Sequence, residues 1–369
     1  MAVFLNGSPD ALLDLARAKV NSNDVTGTLG DLEAIAAMGQ SRPIVGTLPD
    51  FDRLHGMPGF ERVLREMKFA TTPTSTAHES FRISDPGLLP EDIDYDARTR
   101  RYLFTSVLEH KVVSLDRTGR LTTIATSANH WPMLALKIDT QRRIVWATEV
   151  ALAGFASVPK RDWGRSALIA YDCDSGRLLR RIEAPRPSAL GDMTIAPNGT
   201  LLISDGDSGG VYELSPGGRH LDAVGGGNFI SPQTPAFIPG TDEALVPDYV
   251  RGIAVLNLHT KRARWLPMEH RYALEGIDGM YLYDHTVVAV ENGTVPERVI
   301  LFTLDAEYAH VRSQHVIERA TPQLDPTHGV VRGNIFFYIA NAGWDSIDDR
   351  GVVKHGSALT PAKVMRATL

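Results

Sequence analysis

From residue 81 onward the chain repeats one short pattern six times. The repeats open with "EDIDYDARTRRYLFTSV", "MLALKIDTQRRIVWATEV", "DMTIAPNGTLLISD", "PAFIPGTDEALVPDY", "GMYLYDHTVVAVEN" and "GVVRGNIFFYIAN". Each reads as a strand, a turn of Asp, Asn, Gly or Arg, and a more apolar strand. A third and usually a fourth strand follow, as in "ALIAYDCDSGRLLRRIEA". A unit of roughly 40 to 60 residues has the length of a four-stranded propeller blade. The sixth unit ends at "AKVMRATL", a third strand with no fourth, whereas "FRIS" at 81–84 is an orphan strand before unit one. Pairing the two closes a ring and hides a sheet edge. The pattern therefore predicts a mainly β fold, a six-bladed β-propeller over residues 81–369 with strand-swap closure. The competing arrangement is an irregular β-sandwich.

Residues 1–68 have a different texture and predict a small α-helical segment. "PDALLDLARAKV", "DVTGTLGDLEAIAAMG" and "PGFERVLREM" carry apolar residues near a helical period, with Pro58 leading the third and Gly39 placed to stop the second. Three short helices bury too little surface to stand alone, so they are expected to dock on the propeller. "FATTPTSTAHES" then reads as a linker, residues 69–80.

The stretch "GDSGG" at 206–210 spells the surroundings of a serine-protease nucleophile, and His78 in "TAH" echoes the matching histidine. Its position argues otherwise. It falls between the second and third strands of unit three, where paired glycines serve a tight turn. Composition agrees with that reading. Cys173 is the sole cysteine, so no disulfide forms within the chain, and a reducing cytoplasm is the expected location. A net charge of −6 argues against nucleic-acid and anionic-membrane partners. No apolar run reaches a membrane span, and "MAVFLNGSPD" lacks the pattern of a secretion signal.

The first strand of each blade lines a propeller's channel. Aligning the six units brings Glu91, Asp92, Met133, Gly191, Asp192, Gln233, Thr234, Asp278 and His328 to one mouth. Acids converging on an axis call for a cation or for protons, and hard oxygen ligands suit Ca²⁺, Mg²⁺ or Mn²⁺. The alternative is that Glu91, Asp92 and Asp192 cap strand ends through backbone N–H groups. His328 alone fits a hydrogen-bonded channel histidine as well as a general base. "ENGTVPERV" at 291–299 and the Trp131 and Trp344 regions are expected at the rim. Asn292 and Asn341, just after second strands, are candidates for turn caps.

The phrases "LLPEDIDYDARTRRYLFTSVLEHKVVSLD", "ALGDMTIAPNGTLLISDGDSGGVYELSP" and "GIDGMYLYDHTVVAVENG" resemble the SMP-30/gluconolactonase/LRE-like propeller family, over about 280 residues. The resemblance implies a divalent metal in the channel and hydrolysis of a lactone or ester. It carries the family's first-blade glutamate onto Glu91 and its Asp-Gly aspartate onto Asp278. Where the family uses amides, the third-unit asparagine is replaced by Gly191 beside Asp192, and the fourth unit offers Gln233 or Thr234. The expected ligands are Glu91, Asp192, Gln233 and Asp278, with Ca²⁺ preferred over Mg²⁺, Mn²⁺ or Zn²⁺, and Asp278 and His328 as proton carriers. "LGDLEAIAAMGQSRPIVGTLPDFDRLHGMPGFERVLREM" resembles the tail of a tetratricopeptide-repeat array and implies a protein partner; a plain helical cap is the alternative. Two further functions stay open: a non-catalytic propeller binding a small molecule or protein, and a lyase or cyclising propeller of the strictosidine-synthase kind.

Overall fold

The computed structural model describes residues 8–225, 227–269 and 271–369. Six antiparallel sheets follow one another around a ring. Their innermost strands are Pro90–Asp96, Met133–Asp139, Leu190–Ile195, Ala236–Phe237, Ile277–Tyr283 and Gly329–Arg332. The chain is therefore a mainly β, six-bladed β-propeller with N-terminal helices. Second strands such as Leu201–Asp205 are buried throughout, because neighbouring blades cover both of their faces.

Blade six closes as the repeat arithmetic required. Its sheet runs from Gly329–Arg332 through Ile335–Ile339 and Lys363–Thr368 to an outer strand, His78–Arg82, supplied from before blade one. His78 lies opposite Arg366 and Arg82 opposite Lys363. Phe81 packs beside Phe104, Val113, Phe337, Ile339 and Val364, so the seam between blades six and one is sealed by the same apolar layer as the others. The closing strand begins earlier than "FRIS" suggests. The stretch read as a linker carries the end of a helix and also the short strand Thr74–Ser75, which adds a fifth strand to blade five.

The inner strands share a local irregularity that positions the site. The pairing register shifts between Pro90 and Ile93, Met133 and Leu136, Leu190 and Asp192, and Ile277 and Met280. Such bulges re-aim side chains and free backbone N–H groups from the ladder. Second-strand hydroxyls take some of them: Thr105 accepts from Asp92 N at 3.0 Å and Thr148 from Ala135 N at 2.9 Å.

The helical segment contains α1 (Pro9–Asn21), α2 (Val25–Ala37) and α3 (Pro58–Ala70). Ser8 and Asp24 cap α1 and α2 by accepting from Ala11 N and Gly27 N. Leu12, Ala16, Leu32, Ile35, Phe60 and Val63 form its core, and Ala273 of the propeller belongs to the same cluster. The cap is docked. Gly39, at φ +71°, ends the second helix and leaves the Met38 carbonyl to the Arg298 guanidinium at 2.9 Å. Val295 in blade five bonds Gln40 and Ser41 through its N–H and carbonyl.

GDSGG is a turn. The Asp205 carboxylate accepts from Asp207 N and Ser208 N, and Gly209 N donates to Asp205 O at 3.0 Å. Gly209 has φ +73°, and a Cβ there would sit 2.4 Å from the Phe229 carbonyl oxygen. The Ser208 hydroxyl accepts from Gly210 N. His78 stands exposed on the closing strand.

Candidate active site

The inner strands deliver Glu91, Asp278 and His328 to one point on the axis. One carboxylate oxygen of each acid and a ring nitrogen of the histidine all lie within 4.8 Å of one another. They stand below a cleft of about 420 Å³ that is also lined by Gln233, Tyr249, Asn292, Glu297 and Trp344.

Each carboxylate is oriented by one donor. Trp344 Nε1 donates to Glu91 Oε2 at 2.6 Å. Asn292 Nδ2 donates to Asp278 Oδ2 at 2.7 Å, and Tyr249 in turn donates to Asn292 Oδ1 at 3.0 Å. Each acid thus keeps its other oxygen for a further partner. Burial, and then the nearby Asp278 charge, push the Glu91 carboxyl up to about 8. Burial pushes Asp278 up to about 6 even though His328 pulls it down.

His328 is fully engaged. Nδ1 lies 3.1 Å from the Glu91 carbonyl oxygen and Nε2 bonds the Asp192 carboxylate. Both nitrogens face acceptors, the arrangement of an imidazolium. Burial works against that charge, but Asp192 and Asp278 outweigh it and hold the imidazole well above its ordinary pKa. Lys137 is the second internal cation. It donates to Asp92 Oδ2 at 2.8 Å, and Asp92 and Asp94 overcome its burial to keep it charged.

The remaining candidates separate clearly. Asp192 reaches the channel, but its carboxylate is shared between His328 and the Thr234 hydroxyl at 2.8 Å. Gln233 lines the cleft with its Nε2 tied to Ser231. Asp92 faces Lys137 and the Leu136 N–H. Met133 lies in the core between blades one and two. Trp131 is buried between the Arg165 and Arg181 guanidiniums, away from the cleft lining. Asn341 caps, accepting from Lys363 N at 2.6 Å, whereas Asn292 orients Asp278. The stretch 291–299 expected at the rim supplies Asn292 and Glu297 to the cleft, whereas the sequence reading missed Tyr249 and Asp325. Both sit outside the aligned first strands, and only their acidity and polarity marked them.

Hard oxygens from Glu91 and Asp278, with the Gln233 amide beside them, form a donor set that fits a divalent cation. His328 would join only by giving up a present hydrogen bond.

No family model matches the chain, and no curated protein matches it in sequence. Solved structures do. The chain is similar to a gluconolactonase from Xanthomonas campestris at 13% identity and TM-score 0.52, over 78% of this chain and 89% of that one. It is similar to a luciferin-regenerating enzyme at 13% identity and TM-score 0.53, over 81% and 96%. An aldose sugar dehydrogenase from Streptomyces coelicolor aligns at 12% identity and TM-score 0.52, over 80% and 100%. At these identities the likeness shows the propeller fold. The tetratricopeptide resemblance of the helices finds no support in these comparisons. Among the described residues no helix is long and apolar enough to cross a membrane.

Proposed function

We propose that the chain is a hydrolase that opens a lactone or ester in the channel-mouth cleft, with a divalent cation held by Glu91 and Asp278. The observation that carries this reading is the convergence of their carboxylates and His328 within 4.8 Å at the floor of a cleft. Three acids, Glu91, Asp278 and Asp192, share that volume with one imidazolium, and a cation would take the place of the proton that burial holds on Glu91. A bound divalent ion would polarise the substrate carbonyl and acidify water. Trp344 and Asn292 hold the two acids in place, and the Asp278 carboxylate, facing the cleft, is positioned to accept and return a proton. Asn292, Gln233 and Tyr249 offer polar contacts to a small substrate of matching size.

One observation favours a second reading, a non-catalytic propeller that binds a small molecule. Both His328 nitrogens and one Asp192 oxygen, Oδ1, are already committed to protein partners, so the histidine among the groups around the axis holds no free valence.

The deciding experiment is thermal unfolding of EDTA-treated protein with Ca²⁺, Mg²⁺, Mn²⁺ or Zn²⁺ added back, paired with lactone and aryl-ester hydrolysis. A cation at about 100 times its Kd adds roughly 2.7 kcal/mol of stability. The parent is expected to shift with at least one metal and to gain hydrolysis with it, and the Glu91→Gln/Asp278→Asn double variant to do neither. A parent that no metal shifts would remove the metal mechanism and leave the binding reading in front.

A further inference from the structure

Blade five places two arginines face to face. Arg298 and Arg319 are directly opposed across its third and fourth strands, Arg298–Leu304 and Val311–Arg319. Like charges so placed repel. Arg298 is answered by Glu291 and by the Met38 carbonyl. Arg319 is not. It forms no ion pair among the described residues, and its Nε is a buried donor with no hydrogen-bond partner. The Phe69 ring lies 5.4 Å from its guanidinium carbon. Burial and the neighbouring Arg298 both pull the Arg319 pKa below its ordinary value.

Arg319 forms one wall of a pocket of about 500 Å³ where α2 and α3 meet the propeller. Arg62, Arg65, Glu66, Gly39 and Phe69 line it as well. Arg62 is neutralised by Glu33 and Glu66. Among the described residues Arg65 has no carboxylate within salt-bridge distance, so two guanidiniums without an ion pair there, Arg65 and Arg319, line the pocket. The net charge of the chain is −6, so this positive pocket runs against the whole. Phe69 is 67% exposed, an apolar surface open to solvent beside the Arg319 guanidinium.

We infer that this junction pocket is a binding site for a small organic anion, a carboxylate or phosphate monoester on an aromatic or alkyl body. The guanidiniums of Arg319 and Arg65 take the anionic oxygens, to which their planar forks are matched. The Phe69 ring and the alanine-lined floor take the body. The site is separate from the channel, and the inference does not depend on catalysis there. Because its walls come from both the helical cap and blade five, an occupant ties the two together.

Calorimetric titration of the full chain with phenyl phosphate, benzoate, inorganic phosphate and benzyl alcohol tests this. Saturable binding of phenyl phosphate or benzoate is expected, with inorganic phosphate at least tenfold weaker and benzyl alcohol silent. Arg319→Gln should weaken binding at least tenfold, and Phe69→Ala should bring phenyl phosphate to the level of inorganic phosphate. Arg65→Ala, an exposed change that leaves the fold intact, should weaken it several-fold and decides the matter if Arg319→Gln is unstable. The Glu91→Gln/Asp278→Asn variant should bind as the parent does. Absence of saturable binding by either aromatic anion, equal affinity in Arg65→Ala, or loss in the channel variant overturns the proposal.

Discussion

Trp344 in blade six donates its indole N–H to the Glu91 carboxylate of blade one, across the seam where the ring is closed. The bond fixes one Glu91 oxygen and so aims the other. Trp344→Phe keeps the ring and deletes the donor. A hydrogen bond to a charged group contributes about 1.5–3 kcal/mol, so cation affinity should fall roughly tenfold or more. Thermal stability without metal should change little. A Ca²⁺ titration of the variant that matches the parent would show that the indole does not orient the site.

Arg298 and Glu291 form an ion pair with both side chains fully buried. Removing one member strands the other in the interior, at a cost of about 3–5 kcal/mol. Arg298→Ala also removes the donor to Met38 O, so the helical cap should loosen as well. Trypsin should release the segment before residue 71 from the variant while the parent resists. Equally rapid release from the parent would contradict docking.

Ser208 lies in a turn, and its neighbour Gly209 holds that turn. Ser208→Ala should leave stability within about 0.5 kcal/mol, as surface changes do, and the parent should not label with a fluorophosphonate. Gly209→Ala forces a methyl group to 2.4 Å from the Phe229 carbonyl oxygen at a positive φ. It should cost at least about 1–2 kcal/mol in denaturant unfolding. Specific labelling of Ser208 would reverse this assignment.

Glu275 is partly buried, with one carboxylate oxygen enclosed, and that burial, with Glu291 nearby, pushes its carboxyl up to about 7 despite Arg298. The folded protein therefore holds a proton that the unfolded chain releases at its ordinary 4.5. The stabilising contribution is full below pH 4.5 and is lost as pH rises through about 7. Glu275→Gln should flatten the fall in melting temperature across that window, a difference of up to about 3 kcal/mol. Superimposable pH profiles for variant and parent would exclude Glu275 as the source.

The ring was legible because its evidence is repeated: six hairpins with the same alternation overrule any one ambiguous strand. Boundaries that rest on weak alternation were not. The closing strand starts at His78, among small polar residues, and Thr74–Ser75 is too short to leave a pattern. Aligning first strands found Glu91 and Asp278 on bulged inner strands and His328 just before the start of another, since the inner strands present equivalent positions to the axis. It could not find that Asp192 Oδ1 is shared by Thr234 and His328, or that Asn292 and Trp344 orient the acids. Those are contacts between distant segments, set by loop paths that no local pattern encodes.

The swapped strand has a kinetic price. His78–Arg82 finds Lys363–Thr368 only after every intervening blade has brought the two together. Closure is therefore the most non-local step in folding and is expected to be the slow one. Until it happens, blade six offers an unpaired edge, and a second chain's His78–Arg82 fits that edge as well as the chain's own. Intramolecular closure is independent of concentration, while exchange between chains is not. Dilute refolding should thus yield single rings, and concentrated refolding should trap reciprocally exchanged dimers that persist until the chain is unfolded again.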